Sequence, residues 1–310
     1  MPHIASVACG AGAADRQALV TGLAHQVDGF DFSEGSLQAA EKQAADEGFA
    51  GRLHYRKHDF NKEPIPNGGR SYPLIIIFGG LHHAANLESV LDELERVLAP
   101  NGLIFFNEYI GPNRFQYSSD HMEMLNRIIS LLPRDFCQSE SYTREDAVLL
   151  AENDPSEAVR SEEIIDRVTE RFAILDRCDY GGSILYPMWA SVLVREKLMF
   201  ASQVSRTPVL QSLMLLEETL TGQGILPPLF SQCVICRKGD VDNLDVISER
   251  LKNDARIARP SAFLLQSDLT QLQWPLRKIS RPFSAIARER TRFFLEKANL
   301  LEPLKSLLRK

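Results

Sequence analysis

The stretch that decides the fold is Ile4-Ala5-Ser6-Val7-Ala8-Cys9-Gly10-Ala11-Gly12-Ala13-Ala14-Asp15, an apolar run that ends in two closely spaced glycines and continues into a helical pattern. Ile4 to Ala8 reads as a strand, and the segment from Asp15 to Leu23 as the helix after it. Glycine between a strand and a helix lets the backbone turn sharply and come close to a ligand, with helix N–H groups aimed at the bound molecule. A Gly-x-Gly turn is also an ordinary structural device, so its meaning depends on the residues placed further along the chain.

From this turn a βα rhythm runs for about 110 residues. Val27 to Asp31 predicts a second strand, Ser33 to Glu47 a helix capped by Ser33 and stopped by Gly48, and Leu53 to Arg56 a third strand. Tyr72 to Phe78 contains Leu74-Ile75-Ile76-Ile77-Phe78, apolar on both faces as in the centre of a sheet covered by helices. Leu87 to Leu98 predicts a helix, Pro100-Asn101-Gly102 a turn, and Leu103 to Asn107 a fifth strand. Past residue 110 helical patterns take over, at Met122 to Leu132 and Ser156 to Val168, as a cover inserted at about 112–170. Phe172 to Arg177 and Phe230 to Arg237, separated by a helix at Leu210 to Leu220, supply two more strands. The expected architecture is α/β: a Rossmann-like seven-stranded sheet over residues 1–238, with a helical cover, and a helical tail over 239–310.

Candidate site residues fall at strand ends. Asp31 closes the second strand about 20 residues after the glycines, where a carboxylate can accept both ribose hydroxyls of an adenosine; it could equally cap the next helix. After the third strand, Asp59 can accept from an adenine amine while Phe60 covers the ring, although a loop acid is also ordinary there. His82 and His83 come just after the fourth strand, at the edge where open α/β sheets bind ligands, and either imidazole could act as a base, with Glu108 orienting it or acting alone. The plain structural alternative has one histidine packing on the next helix and the other capping it. Tyr109, Arg114 and Gln116 form a polar set suited to grip a sugar or carboxylate, or simply a turn around Gly111-Pro112.

The order Cys9-Gly10-Ala11-Gly12, Asp31, Asp59-Phe60, Gly79-Gly80-Leu81-His82-His83 and Leu98-Ala99-Pro100-Asn101-Gly102 resembles the motif series of class I S-adenosylmethionine-dependent methyltransferases. The segment Asn107-Glu108-Tyr109-Ile110-Gly111-Pro112-Asn113-Arg114-Phe115-Gln116 is similar to a bacterial subgroup associated with cell-surface glycan biosynthesis. The resemblance runs to about residue 238. It implies S-adenosylmethionine as cofactor, held by Ala8, Cys9, Gly10, Gly12, Asp31, Phe32, Asp59, Phe60 and Gly79. It also implies methyl transfer to a small-molecule or glycan acceptor, with O-methylation of a saccharide or related metabolite preferred. Two positions depart from the pattern: Ala8 stands where the family has its first glycine, and Ser6 where an acid is common in the first strand. The family also carries a covering segment before the first strand, and here three residues precede Ile4. These departures keep a catalytically impaired, cofactor-binding scaffold as an alternative. An NAD-dependent oxidoreductase shares the glycine turn and Asp31, but explains neither Asp59-Phe60 nor the histidine pair.

Composition narrows the partners. With 35 Lys and Arg against 41 Asp and Glu, the chain has no global attraction for a polyanion. The Pro-Pro-Tyr type of motif that would hold a flipped base is missing after the fourth strand, so no nucleic acid is expected. No apolar run reaches the ~18 residues of a spanning helix, and nothing at the start reads as a signal sequence, so the cytoplasm is the expected compartment. Five scattered cysteines point to reduced thiols; Cys233 and Cys236 fall on opposite faces of one strand, and no metal is expected. Residues 271–310 carry ten Lys or Arg against three Glu, a local +7, with apolar positions at near-helical spacing. That stripe suits either packing on the acidic core or a partner, or peripheral contact with the inner face of an anionic membrane.

Overall fold

The computed structural model describes residues 2–144, 146–193 and 203–244. The basic tail beyond 244 lies outside the described residues. The described residues divide into two units: 2–108, 165–178 and 232–244 form the first, and 109–144, 146–164, 179–193 and 203–231 the second.

Seven strands form one sheet in the order β3-β2-β1-β4-β5-β7-β6. They are β1 (His3–Val7), β2 (Gln26–Asp31), β3 (Leu53–Lys57), β4 (Tyr72–Phe78), β5 (Leu98–Tyr109), β6 (Phe172–Tyr180) and β7 (Phe230–Arg237). The first five pair in parallel, so their carboxyl ends, and the loops that leave them, share one edge. In the first unit the sheet is flanked by α1 (Ala13–Val20), α2 (Glu34–Asp46), α3 (Leu87–Val97) and α6 (Ile164–Arg171, whose first residue belongs to the second unit). One core cluster joins Ile4, Val27, Leu74, Ile76, Leu103 and Phe105 of the strands to Ala18, Leu19 and Leu23. The expected alternation of sheet-covering helices therefore holds: β4 is buried on both faces, which is why its sequence is continuously apolar.

The second unit contains α4 (Ser119–Leu131), α5 (Ala147–Asn153), α7 (Leu185–Ser191) and α8 (Gln203–Gly222) around a separate cluster that includes Tyr117, Leu125, Ile129, Met188 and Leu213. The start of β7 meets the ends of two neighbours here, with Ile110 N–H donating to the Leu229 carbonyl and Leu229 N–H to that of Gly181, 2.8 Å each. Glu217 of α8 accepts from the backbone N–H groups of Gly182, Ile184 and Leu185 at 2.7–2.8 Å, satisfying donors at the start of α7.

Three expectations change. The Pro100-Asn101-Gly102 turn is a bulge inside β5: Tyr72 pairs with Leu98 but Leu74 with Leu103, and Asn101 takes a left-handed φ of 56° while its N–H donates to Asp240 at 3.0 Å. The helix expected at Ser156 to Val168 starts later, as a 3-10 turn at Ser161–Glu163 leading into α6. Ser156 bends back instead, its N–H and hydroxyl both donating to Asp154 Oδ1, and Ala158 is left-handed at φ 48°. Helix α5, capped by the Asp146 carboxylate, has no counterpart among the expected elements. Cys233 and Cys236 are both buried and reduced. Among the described residues no helix is long and apolar enough to cross a membrane.

Candidate active site

The glycine turn is built as the sequence suggests, with supports that the sequence does not show. Gly12 caps α1 in the left-handed conformation at φ 66°. A side chain there would meet Tyr55, whose Cζ lies 2.6 Å from where a Cβ would stand. Tyr55 also fills the space beside Gly29, so a β3 tyrosine lies across two glycines of neighbouring segments. Around Gly10, by contrast, nothing stands within 4 Å of a Cβ position: the backbone faces open space there and a ligand can approach it. Arg16, almost wholly buried, turns back from α1 to donate Nη1 to the carbonyls of Ala11 and Gly12 at 2.7 and 2.9 Å, and reaches Glu47, just past the end of α2, at 3.3 Å. The neighbouring Asp15 is fully buried, and burial pushes its carboxyl up to about 6 against the opposing pull of Ser6 and Arg16.

Ala8 takes φ 54°, a left-handed conformation in which an L-residue is strained. Its methyl points at Gly80, where a Cβ would lie 2.5 Å from that of Ala8. The missing glycine at position 8 is thus matched by one at position 80, and the two turns nest.

Asp31 is not a helix cap; Ser33 fills that role, accepting from Ser36 N–H at 3.2 Å. The Asp31 carboxylate holds Gly10 N–H at 2.7 Å through Oδ2 and Ser33 N–H at 2.8 Å through Oδ1, one bond per oxygen. A carboxylate has about four acceptor positions, so two remain for a diol. Beside it Phe32 is 63% exposed, a large aromatic face at a strand end. Lys62 lies over that ring with Nζ 5.8 Å from its centroid, and pairs with Asp59 at 2.8 Å. Phe60 is half-buried in the same loop. His58, which precedes Asp59, is buried against Phe30, and burial pushes its imidazole down against the opposing pull of Glu63 and Asp59.

The histidine turn is organised by Glu108. This carboxylate is fully buried at the end of β5. It accepts from Gly80 N–H at 2.6 Å, Leu81 N–H at 2.9 Å and His82 N–H at 3.4 Å, and its Oε2 lies 2.9 Å from His82 Nδ1. Gly79 sets the entry to this turn, its N–H donating to Asn107 at 2.9 Å across the β4–β5 pair. The His82 and His83 rings lie against each other, tilted by 38°, with centroids 4.2 Å apart. Neither histidine caps α3; Asn86 does, accepting from Ser89 N–H. A carboxylate on Nδ1 fixes the imidazole tautomer, placing the basic lone pair on Nε2.

In the second unit, the three residues expected to grip an acceptor are engaged locally. Arg114 Nη1 donates to the carbonyls of Asp154 and Glu157 at 3.0 and 2.9 Å and Nη2 to that of Pro155 at 2.5 Å. Gln116 donates to the Arg114 carbonyl at 2.9 Å, and the buried Tyr109 hydroxyl to that of Pro112 at 3.1 Å. Phe115, Tyr186 and Phe230 pack around the Tyr109 ring at 5.0–5.7 Å.

Residues 4–102 match a family model described as a methyltransferase domain, which covers β1 through the bulge of β5. Among curated proteins, a sterol 24-C-methyltransferase of Gibberella zeae is 30% identical over 120 residues, 39% of this chain and 30% of that protein. A ubiquinone/menaquinone biosynthesis C-methyltransferase of Coxiella burnetii is 25% identical over 116 residues, 36% of this chain and 44% of that protein. The chain therefore matches 30–44% of the length of these relatives. Among solved structures, a geranyl diphosphate methyltransferase in complex with SAM aligns over 76% of this chain and 78% of that one at 11% identity and a TM-score of 0.46. An O-methyltransferase of Brevibacillus brevis in complex with S-adenosyl-L-homocysteine aligns over 76% and 66% at 10% identity and 0.42.

Proposed function

We propose that this chain is an S-adenosylmethionine-dependent methyltransferase acting on a hydroxyl of a saccharide or related small metabolite, with His82 as the base. The observation that carries the reading is the 2.9 Å contact between the buried Glu108 carboxylate and His82 Nδ1, at the carboxyl edge of the parallel strands. The match of residues 4–102 to a methyltransferase domain supports the choice of cofactor. The residues present fit its adenosine part: open backbone at Gly10, two remaining acceptor positions on Asp31, and an exposed Phe32 face beside Asp59. When bound, the cofactor supplies an electrophilic methyl group on a sulfonium.

The chain's own contribution is orientation and proton removal. The glycine turn, fastened by Arg16, leaves open backbone at Gly10 for close approach, and Asp31 and Asp59 fix the ribose and adenine ends. His82 Nε2 accepts the proton of the acceptor hydroxyl, and Glu108 holds the resulting imidazolium through Nδ1–H. Because Arg114 is committed to three backbone carbonyls, the acceptor does not need to be an anion. The glycan assignment rests on the likeness of residues 107–116 to the glycan-associated subgroup. The test is calorimetry with S-adenosylhomocysteine and NAD, and then methyl-transfer assays on a panel of sugars, phenols and quinols. Binding of S-adenosylhomocysteine without NAD, and transfer to sugars that fails in His82→Gln, is the expected result. Tight NAD binding would replace this reading with an oxidoreductase, and cofactor binding without transfer to any hydroxyl would leave a scaffold.

A further inference from the structure

We propose that Asn61 is a positioning residue that couples the adenine end of the cofactor site to the histidine turn, an inference that rests on the cofactor reading above. Asn61 belongs to the turn after β3, and its own N–H donates to Asp59 Oδ1 at 3.0 Å. Its side chain leaves that turn for another. The amide Nδ2 donates to the His83 carbonyl at 3.0 Å, and Oδ1 accepts from Ala85 N–H at 2.8 Å. A donor and an acceptor on one planar amide thus grip the backbone on both sides of Ala84, just after the histidines. The residues between are tightly folded: His83 N–H donates to the Gly80 carbonyl and Ala84 N–H to that of Leu81, at 3.1 and 2.9 Å. The same turn is held from the opposite side by Glu108. The histidine backbone therefore has two anchors, one on β5 and one on the loop that carries Asp59.

The consequence is mechanical. Asp59 is paired with Lys62 in this structure, and Lys62 also covers Phe32. An adenine ring on Phe32 displaces Lys62 from that face, and its amine donates to an acceptor position that Asp59 has left, so Lys62 exchanges one contact and Asp59 gains one when adenosine binds. Asp59 is tied to the Asn61 backbone and Asn61 to the histidine turn, so this exchange is felt at His82 and His83 although adenosine has no methionine moiety to touch them. A planar amide suits the role because it matches a carbonyl and an N–H at once; aspartate keeps the acceptor for Ala85 but opposes the His83 carbonyl.

The experiment uses the full chain labelled with ¹⁵N-histidine, with His82 and His83 ring signals assigned from His82→Gln and His83→Gln, and adenosine as the probe. Saturating adenosine is expected to shift the His82 and His83 signals in the wild type. In Asn61→Ala the shifts should fall by more than half while adenosine affinity stays within about threefold, and Asn61→Asp should fall between. S-adenosylhomocysteine binding is measured in parallel to keep two failures apart. If the wild type binds neither adenosine nor S-adenosylhomocysteine, the cofactor reading falls and the coupling with it. If it binds them but adenosine leaves the histidine signals unmoved, or if Asn61→Ala and Asn61→Asp both show wild-type shifts, the coupling is overturned and the cofactor reading stands.

Discussion

Replacing Gly80 by alanine tests whether the turn at Ala8 and the histidine turn are built against each other. Gly80 has φ −123° and ψ −38°, which alanine adopts without strain, so the backbone raises no objection. The obstacle is contact: the new Cβ lies 2.5 Å from that of Ala8 and 3.2 Å from Ile77 Cγ2. The isoleucine methyl is the end of a side chain and can give; the Ala8 methyl is fixed to the backbone of a left-handed turn. Overpacking of this kind costs about 1–3 kcal/mol, offset by about 0.4–1 kcal/mol from the lower chain entropy of the unfolded alanine variant, leaving a net loss of about 1–2 kcal/mol. Ala8→Gly by itself relieves about 1 kcal/mol of left-handed strain and loses a comparable amount to glycine's flexibility. In the double variant the clash disappears, so Gly80→Ala should become neutral or slightly stabilising, with a coupling energy of about 1–3 kcal/mol. Urea unfolding of the four proteins at pH 7.5 measures this, provided the denaturant slopes agree. A cost for Gly80→Ala that is the same with alanine or glycine at position 8, to within ~0.5 kcal/mol, would refute the nesting of the two turns.

Asp31→Ala should weaken S-adenosylmethionine by about 1.5–3 kcal/mol in calorimetry, since two charge-assisted bonds to ribose are lost; unchanged affinity in the folded variant removes the ribose role. His82→Gln should slow turnover on the true acceptor by roughly 10²- to 10⁴-fold, and a variant that keeps the wild-type rate would show that alignment alone suffices. Asp15, raised to about 6 by burial, has a folded pKa above its unfolded value. Its contribution to stability is therefore fully present below an unfolded pKa of about 4 and is lost as pH rises through about 6. Asp15→Asn should accordingly be more stable than wild type at pH 7.5, by up to ~3 kcal/mol, and the advantage should vanish near pH 4; an advantage independent of pH would contradict the buried-carboxyl account.

The parallel half of the sheet was legible because local pattern and burial agree: the apolar run of β4 is buried on both faces, and α3 repeats its apolar positions on the face it buries. The places of Asp31 and Glu108 at strand ends, and of His82 in the turn after β4, were also legible, since the pattern fixes where those strands stop. Less legible were features made by polar side chains folding onto nearby backbone. Ser156 and Asp154 look like ordinary residues before a helix, yet their mutual bonds stop it from starting there. Arg16 reads as a charged helix residue, and its burial comes from carbonyls a turn earlier that only the folded loop aligns. Tyr55 and Asn61 escape a sequence reading for a different reason. Their partners, Gly12 and the histidine turn, are more than 20 residues away in sequence, and no periodicity within one element reports a contact across strands. Arg114 is the converse case: the residue type suggests an acceptor contact, while the backbone around residue 155 absorbs its donors.

Glu108 carries two responsibilities on one carboxylate, since the same buried group that orients His82 also satisfies the N–H groups of Gly80 and Leu81. Its isostere glutamine keeps the shape but replaces one oxygen with an NH2: facing Gly80 and Leu81 it leaves their N–H groups unpaired, and facing His82 it makes Nδ1 the acceptor and moves the ring proton to Nε2. Position 108 ties the shape of the turn after β4 to the orientation of His82, so a substitution there acts on both at once.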